Sequence, residues 1–350
     1  MIQKKLDLFK LDPFSLDSKD KDLLFKKYLN DLTRYHYSKS NLYKKILSGF
    51  DYKYNKNYEV SELPFLTTSI FKELDLKSIS SNQIFKTLLS SGTSGSSQSK
   101  IFLDKENATS QRLALSKIVS HFIGKNRLPM LIVNKDINFE KNKFDAKSAA
   151  IRGFSIFGKN HHYLLNPSNK INEEVLFNFV EKFGKKKFLI FGFTSDVYSA
   201  FFENSNFKEK IDLKNSILIH GGGWKKLENK KISNHLFKTN FLNKYNVKKI
   251  INYYGLVEQV GSIFFECPKC NVFMCSNFSD VIIRDKNFNQ IENEEGIVQL
   301  ISLLPKSYPG HNILTEDLGK LAKCNCGFKG KCFTIKGRVK NSEIRGCANV

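Results

Sequence analysis

Between residues 100 and 260, short apolar runs alternate with longer amphipathic stretches, and this alternation constrains the fold more than any other feature. Lys100–Leu103, Leu131–Val133, Lys187–Phe193 and Ser216–His220 read as strands. Asp104 is placed to cap a helix running to about Ile123, with Leu113, Leu115, Ile118, Val119 and Phe122 as its apolar positions. A second helix is expected over Asn172–Phe183, and a third follows Gly221-Gly222-Gly223-Trp224 and reaches Ile251-Asn252-Tyr253-Tyr254-Gly255. Strands alternating with helices imply an α/β fold, a largely parallel sheet covered by helices. Ligands of such sheets bind at the carboxyl ends of the strands, where the glycine-rich stretches of this chain fall.

The flanks differ in texture. Residues 1–60 are polar and helical, with periodic apolar positions at Leu23, Leu24, Tyr28, Leu29, Leu32 and Tyr35, and are expected to cap the core. Leu63-Pro64-Phe65-Leu66-Thr67-Thr68 enters the main body, and Ser69 is placed to cap a helix through Leu74. From 261 onward the pattern changes to β-like runs at Ser262–Glu266, Asp280–Arg284, Gly296–Leu303 and Phe333–Gly337. The expected organisation is a helical cap (1–60), an α/β core (61–260) and a smaller β-rich subdomain with a cysteine cluster and tail (261–350).

With 350 residues, 41% of them hydrophobic, the chain can bury a sizeable core. Its apolar runs, such as Phe188–Phe191, fall far short of a membrane span, and the N-terminus lacks the apolar stretch of a signal peptide, so a cytoplasmic location is expected. A formal charge of +22 raises nucleic acid as a partner. The lysines are nevertheless spread along the whole chain, with no arginine-rich block and no aromatic RNA-binding signature, so no nucleic-acid partner is expected. A basic surface of this kind steers anionic substrates such as ATP, or an acidic carrier protein.

Leu88–Lys100 reads LLSSGTSGSSQSK. Gly92 and Gly95 permit positive φ, so successive N–H groups can face inward as an anion nest. The hydroxyls of Ser90, Ser91, Thr93 and Ser94 add donors, and Lys100 adds a charge. The lysine follows Ser99 rather than a glycine, so the stretch is not a Walker A loop. The competing reading is a flexible serine-glycine linker. Its short length, the β-compatible runs on both sides and the closing cation favour a phosphate cradle.

Three further stretches bear on nucleotide chemistry. Tyr253-Tyr254-Gly255-Leu256-Val257-Glu258-Gln259 places aromatic faces before a glycine turn and a carboxylate just beyond it, suited to adenine and to Mg2+ respectively. The competing reading is a core tyrosine pair with a surface glutamate. Asp317, in Ile313-Leu314-Thr315-Glu316-Asp317, is a candidate acceptor for ribose hydroxyls at a strand end, or else a turn aspartate. Arg338 follows Gly337 at a candidate hinge, and Gly221, Gly222 and Gly223 allow backbone to approach a planar base or simply form a tight turn.

In order and residue type these stretches resemble the motifs of the adenylate-forming superfamily. Its phosphate loop reads Ser/Thr-Ser-Gly-Thr-Thr/Ser-Gly-x-x-x-x-Lys, and its Tyr-Gly-x-Thr-Glu, Thr-Gly-Asp and Gly-Arg-x-Asp/Lys elements are similar to the stretches around Tyr254, Asp317 and Arg338. This chain departs from them in carrying Val257 for threonine and Glu316 for glycine. Within the superfamily, His220–Trp224, Tyr254–Gln259, Tyr308-Pro309-Gly310-His311 and Ile344-Arg345-Gly346-Cys347 most resemble the LuxE acyl-protein synthetases, and next the phenylacetate-CoA ligases. The resemblance covers about residues 60–347.

The resemblance implies that a carboxylic acid, fatty in the LuxE case, reacts with ATP and Mg2+ to give an acyl-adenylate, after which a thiol takes the acyl group. Lys100 and Glu258 (for Mg2+) would serve catalysis, and Ser90, Ser91, Gly92, Thr93, Ser94, Gly95, Gly221–Gly223, Tyr253, Tyr254, Gly255, Asp317 and Arg338 would hold the nucleotide. Cys347, beside Arg345 and near Lys340, is the match for the acyl-accepting cysteine of LuxE chains. Candidate acceptors beyond it are an acyl reductase, an acyl carrier protein or coenzyme A. Most superfamily members continue into a lid domain with a second catalytic lysine, whereas this sequence stops at Val350, so the expected fold lacks the lid. A CoA or carrier-protein ligase, or a non-catalytic nucleotide- and zinc-binding subunit, are the competing functions.

All seven cysteines lie at or after position 267, in a chain without a signal sequence, which argues for thiols or metal rather than disulfides. Cys267-Pro268-Lys269-Cys270 is a knuckle, and Cys324-Asn325-Cys326 can complete a structural Zn2+ site with it, with Cys275 or Cys332 as substitutes. Unpaired structural thiols are the alternative. Surface or hydrogen-bonding roles are expected for His161, His162 and His311. Phe154, Phe157, Phe191 and Phe193 are candidates for either an acyl pocket or core.

Overall fold

Asp17 starts the first helix by accepting the Asp20 N–H, and α1 (Ser18–Lys39) then buries Lys21, Phe25, Leu29, Leu32 and His36 along one face. The computed structural model describes residues 7–90, 98–136, 146–203, 207, 210–224 and 229–339. The buried face of α1 is rotated from the expected one: Leu23 is 65% exposed, and Phe25 takes the core position instead. The face is masked in the sequence because it includes Lys21, whose ammonium lies 3.7 Å from the buried Asp280 carboxylate.

By chain contacts the protein divides into two units, Met1–His121 with Gly255–Val350, and Phe122–Tyr254. The segments 1–60 and 261–350 fall in the first unit, and 61–260 is shared between the two.

In the first unit α2 (Asn41–Gly49) follows α1, then β1 (Leu66–Thr67), α3 (Ile70–Glu73), β2 (Lys86–Leu89), β3 (Lys100–Leu103) and α4 (Lys105–Ile123), whose last residues pass into the second unit. Ser69 precedes α3 without capping it; its hydroxyl pairs with Thr67 Oγ1 at 2.8 Å. Asp104 does cap α4, accepting the Asn107 N–H at 2.7 Å. β2 and β3 form an antiparallel hairpin, so the serine-glycine stretch joins two ladder partners rather than a strand to a helix.

The second unit carries β4 (Leu128–Val133), α5 (Ala146–Ser155), β5 (Gly158–Tyr163), α6 (Glu173–Phe183), β6 (Phe188–Phe193), α7 (Thr194–Tyr198), β7 (Ser216–Gly221), α8 (Asn234–Tyr245) and β8 (Lys249–Tyr254). The strands pair in parallel in the order β5-β4-β6-β7-β8, as the strand-helix alternation predicts. Leu131, Val133, Ile190 and Leu218 pack with Leu176, Phe179, Phe237 and Phe241 from the helices into one apolar core. Two elements differ from expectation. The polar run Gly158–Tyr163 is an edge strand, and 249–254 is a strand rather than the end of the preceding helix, which stops at Asn246 in the left-handed conformation.

Back in the first unit, β9 (Phe264–Glu266), β10 (Phe273–Met274), β11 (Ser279–Arg284), β12 (Gln290–Ile291), β13 (Gly296–Ser302), β14 (Asn312–Ala322) and β15 (Cys332–Arg338) form an antiparallel array ordered β12-β11-β13-β14-β15-β10-β9. β1 adds in parallel to β14. The fold is therefore mixed α/β, with its parallel pairing concentrated in the second unit. Among the described residues no helix is long and apolar enough to cross a membrane.

Candidate functional site

The base of the serine-glycine stretch is tied across the β2–β3 hairpin. Ser90 N–H donates to Ser99 O at 3.0 Å, Ser99 N–H donates to Ser90 Oγ at 2.9 Å, and Gln98 Nε2 donates to Ser90 O at 2.8 Å. The Ser90 hydroxyl thus supports the loop base from inside. Ser91, Gly92, Thr93, Ser94 and Gly95 lie outside the described residues, as does Cys347. Ser99 and Lys100 point to opposite sides of the extended chain. Ser99 is buried and its side chain lies near the Glu258 carboxylate, whereas the Lys100 ammonium, half exposed, pairs with Asp75 at 3.3 Å.

Glu258 sits in the short 3-10 turn Val257–Gln259 and is 5% exposed. Its backbone is clamped from two sides: the Tyr308 hydroxyl donates to Glu258 O at 2.8 Å, and Gln259 Nε2 donates to Leu300 O at 3.0 Å. Gly310 completes the clamp, since a Cβ there would stand 2.7 Å from Glu258 O. Burial raises the Glu258 pKa, opposed by the nearby Ser99 side chain, the glutamate's own N–H and the Lys72 charge, while Glu316 adds repulsion. The sequence marks Glu316 only as a departure from a motif; the structure sets it within electrostatic range of Glu258.

Asp317 lies inside β14, opposite Arg338 of β15, and not at a strand end. Arg338 Nε stands 3.6 Å from Asp317 Oδ1, beside a register shift between Leu318 and Gly319. Thr315 Oγ1 accepts the Asp317 N–H at 3.0 Å and donates to Val298 O at 2.8 Å, which holds the local geometry. Arg338 is largely exposed while the Asp317 side chain is mostly covered.

The second unit brings together the ends of β7 and β8, where Gly221 pairs with Tyr253. The Tyr253 ring fills the space in which a Gly221 Cβ would stand, at 2.5 Å, so this glycine is required by the protein's own tyrosine. Tyr253 packs in turn on Phe154 at 4.9 Å and Phe191 at 6.3 Å, and its enclosure raises the phenol pKa. Gly222 takes φ +77, the left-handed region that favours glycine. Tyr254 is half-buried at the strand end, and Gly255, the next residue, is exposed.

His220 and Thr194 escaped the sequence reading as site residues. Thr194 Oγ1 donates to Gly221 O at 3.1 Å and therefore accepts from His220 Nδ1 at 3.0 Å, which fixes the imidazole as the Nδ1–H tautomer. Burial and the Lys238 charge lower the His220 pKa to about 3, and its ring stacks on Phe237 at 4.5 Å. The signal available was the histidine directly before three glycines. His311, expected at a surface or in a hydrogen bond, is buried; its Nε2 meets Thr33 Oγ1 at 2.9 Å and its ring stacks on His36.

The four candidate zinc ligands Cys267, Cys270, Cys324 and Cys326 converge in the first unit, with all four sulfurs within 4.8 Å of one another. They are free thiols.

The sequence profile of the acyl-protein synthetase family, LuxE, matches residues 3–350. No curated protein sequence matches. Among solved structures, 2-hydroxyisobutyryl-CoA ligase in complex with 2-HIB-AMP and CoA superposes with a TM-score of 0.71 at 13% identity, over 94% of this chain and 70% of that one. An open conformation of the same ligase gives 0.70 at 12% identity over 97% and 80%. The amide bond synthetase McbA from Marinactinospora thermotolerans gives 0.51 at 13% identity over 74% and 50%. At these identities the likeness is one of fold, that of the adenylate-forming ligase core.

Proposed function

The chain belongs to the LuxE family of acyl-protein synthetases, and on that footing we propose that it uses ATP to convert a fatty or other hydrophobic carboxylic acid into an acyl-adenylate and passes the acyl group to a thiol. The observation that carries this reading is the proximity of Ser99, at the foot of the serine-glycine stretch, to the buried Glu258 carboxylate, close enough for the serine to stabilise the charged form. It ties the candidate phosphate cradle to the candidate metal ligand.

In the first half-reaction an oxygen of the acid attacks the α-phosphorus, and the bond to the bridging oxygen of pyrophosphate breaks. Nucleophile and phosphate are both anionic, so the protein's task is alignment and charge neutralisation, with no general base required. The Lys100–Asp75 pair is half exposed and contributes about 0–1 kcal/mol, so the ammonium exchanges readily to a triphosphate. Glu258 is the residue that would hold a divalent cation: its carboxylate is desolvated and lies within electrostatic range of Glu316. Mg2+ held there would supply positive charge to the phosphate oxygens. Asp317 accepts the ribose hydroxyls, and Arg338 leaves its exposed contact with Asp317 to meet ribose or phosphate. In the second unit Tyr254, with Gly222 and Gly223, contacts the base, while Tyr253 supports them from within the aromatic wall.

In the second half-reaction a thiolate attacks the acyl carbon, the carbon–oxygen bond to AMP breaks, and AMP leaves with the electron pair. Cys347 is the proposed acceptor, ahead of an acyl reductase, a carrier protein or coenzyme A. The surplus of positive charge favours approach of an acidic carrier. Zinc stands outside this chemistry, because four thiolates fill a tetrahedral ion and leave no position for substrate.

Exchange of labelled pyrophosphate into ATP, run across a panel of carboxylic acids, tests the first half-reaction. Exchange that depends on a hydrophobic acid supports the proposal, and its absence with every acid contradicts it. Acyl label retained on the denatured wild-type chain but lost in Cys347→Ser assigns the acceptor; label retained by the variant removes Cys347 from that role.

A further inference from the structure

We propose that Cys267, Cys270, Cys324 and Cys326 bind one zinc ion that clasps the β9–β10 turn to the β14–β15 connection. The inference rests on the geometry of this cluster and not on the ligase chemistry. Tetrahedral zinc at about 2.3 Å from each thiolate spaces the sulfurs by about 3.8 Å. Here all four lie within 4.8 Å of one another, with Cys267–Cys326 at 3.4 Å and Cys324–Cys326 at 2.8 Å. Both pairs stand beyond the roughly 2.05 Å of a disulfide, and all four cysteines are free.

The backbone presents the sulfurs from two preformed turns. Between β9 and β10, Cys267 N–H donates to Val272 O at 2.8 Å and Asn271 N–H donates to Cys267 O at 2.9 Å, with Asn271 in the left-handed region at φ 55. That turn holds Cys267 and Cys270 side by side. After β14, Gly327 at φ +88 reverses the chain beyond Cys324 and Cys326.

The local fold gives such an ion work to do. β9 has three residues and β10 two, too few for a hairpin to persist through its own ladder. β10 pairs only through Phe273 and Met274 with β15, at Phe333 and Cys332. A cross-link from Cys270 to Cys324 closes a long loop and fixes this corner, and β15 carries the order on to Arg338 opposite Asp317. Four thiolates in a tetrahedron suit zinc, or iron as the main competitor.

The test uses the full chain purified under reducing conditions without added metal. Elemental analysis should find one zinc per chain, and a mercurial thiol reagent should release one zinc into a chromogenic chelator. Cobalt titrated into chelator-stripped, reduced chain should give the visible bands of tetrahedral thiolate cobalt at one equivalent. Cys326→Ser should lower zinc content at least tenfold and shift the melting midpoint down. Where that variant fails to accumulate, the cobalt titration of the wild-type chain decides alone. Metal-free protein with no cobalt spectrum, or stoichiometric iron in place of zinc, overturns the proposal. Failure of pyrophosphate exchange in a chain that holds one zinc would count against the ligase reading only.

Discussion

Replacing Gly221 with alanine tests how the glycine-rich end of β7 is built. The added Cβ would meet Tyr253 Cε1, Cδ1 and Cζ at 2.5, 2.6 and 2.7 Å, about 0.9 Å inside the 3.4 Å at which ordinary contact begins. The ring has little room to retreat, because Phe154 lies 4.9 Å behind it and is itself stacked on Phe191 at 4.3 Å. Overpacking of this kind costs about 1–3 kcal/mol, a fall in melting midpoint of roughly 1–4 °C for a chain of this length. In a Tyr253→Val background the space opens, and the same alanine should be within about 0.5 kcal/mol of neutral or stabilising. Denaturant midpoints of the four proteins in this cycle give a coupling of at least about 1 kcal/mol. An equal penalty in both backgrounds would refute the packing argument. So would a Gly221→Ala protein of unchanged stability with weakened ATP binding, which would mean the glycine makes room for a base.

Glu258→Gln should lower pyrophosphate exchange on the order of 100-fold or more by weakening the cation site. It should leave stability unchanged or raised, because a desolvated charge is removed; a pronounced loss of stability in denaturant would instead make Glu258 a structural residue. Because the folded-state pKa of Glu258 is raised, the wild type should lose stability relative to the glutamine variant as pH climbs above the ordinary 4.5. Arg338→Ala breaks a largely exposed ion pair at about 0–1 kcal/mol, yet should raise the KM for ATP severalfold; an unchanged KM removes Arg338 from the nucleotide. Burial lowers the pKa of His36 to about 3 and that of His311 well below 6.5, so the unfolded chain takes up protons first as pH falls. Stability should then drop below pH 6.5 by up to ~1.4 kcal/mol per pH unit for each histidine. Urea midpoints that stay flat from about pH 6.5 to 5 would contradict this coupling.

Much of the fold is legible because local and global signals agree. The runs around Leu131, Ile190 and Leu218 are apolar on both faces, as a helix-covered parallel strand must be, and Asp104 and Asn172 cap the helices they precede. Where the reading failed, polar residues carried a structural role. Lys21 lies on the buried face of α1 because Asp280 awaits it, and Gly158–Tyr163 is a strand despite its histidines because it forms an edge. The longest strand, β14, runs on to Ala322 beyond the strand end expected at Asp317, because Thr315, Glu316 and Asp317 interrupt its apolar alternation. At the candidate site, Glu258 and the cysteine pairs could be picked out by residue type and spacing. Partnerships across long separations could not: Tyr308 with the Glu258 carbonyl and Tyr253 with Gly221 depend on how the strands register.

Oxygen tracing tests the central claim most directly. With a hydrophobic acid labelled in its carboxylate by oxygen-18, attack on the α-phosphorus followed by thiol transfer must leave one labelled oxygen in AMP, read by mass spectrometry of the nucleotide after turnover. Label appearing in inorganic phosphate with formation of ADP, or AMP released without label, would contradict it.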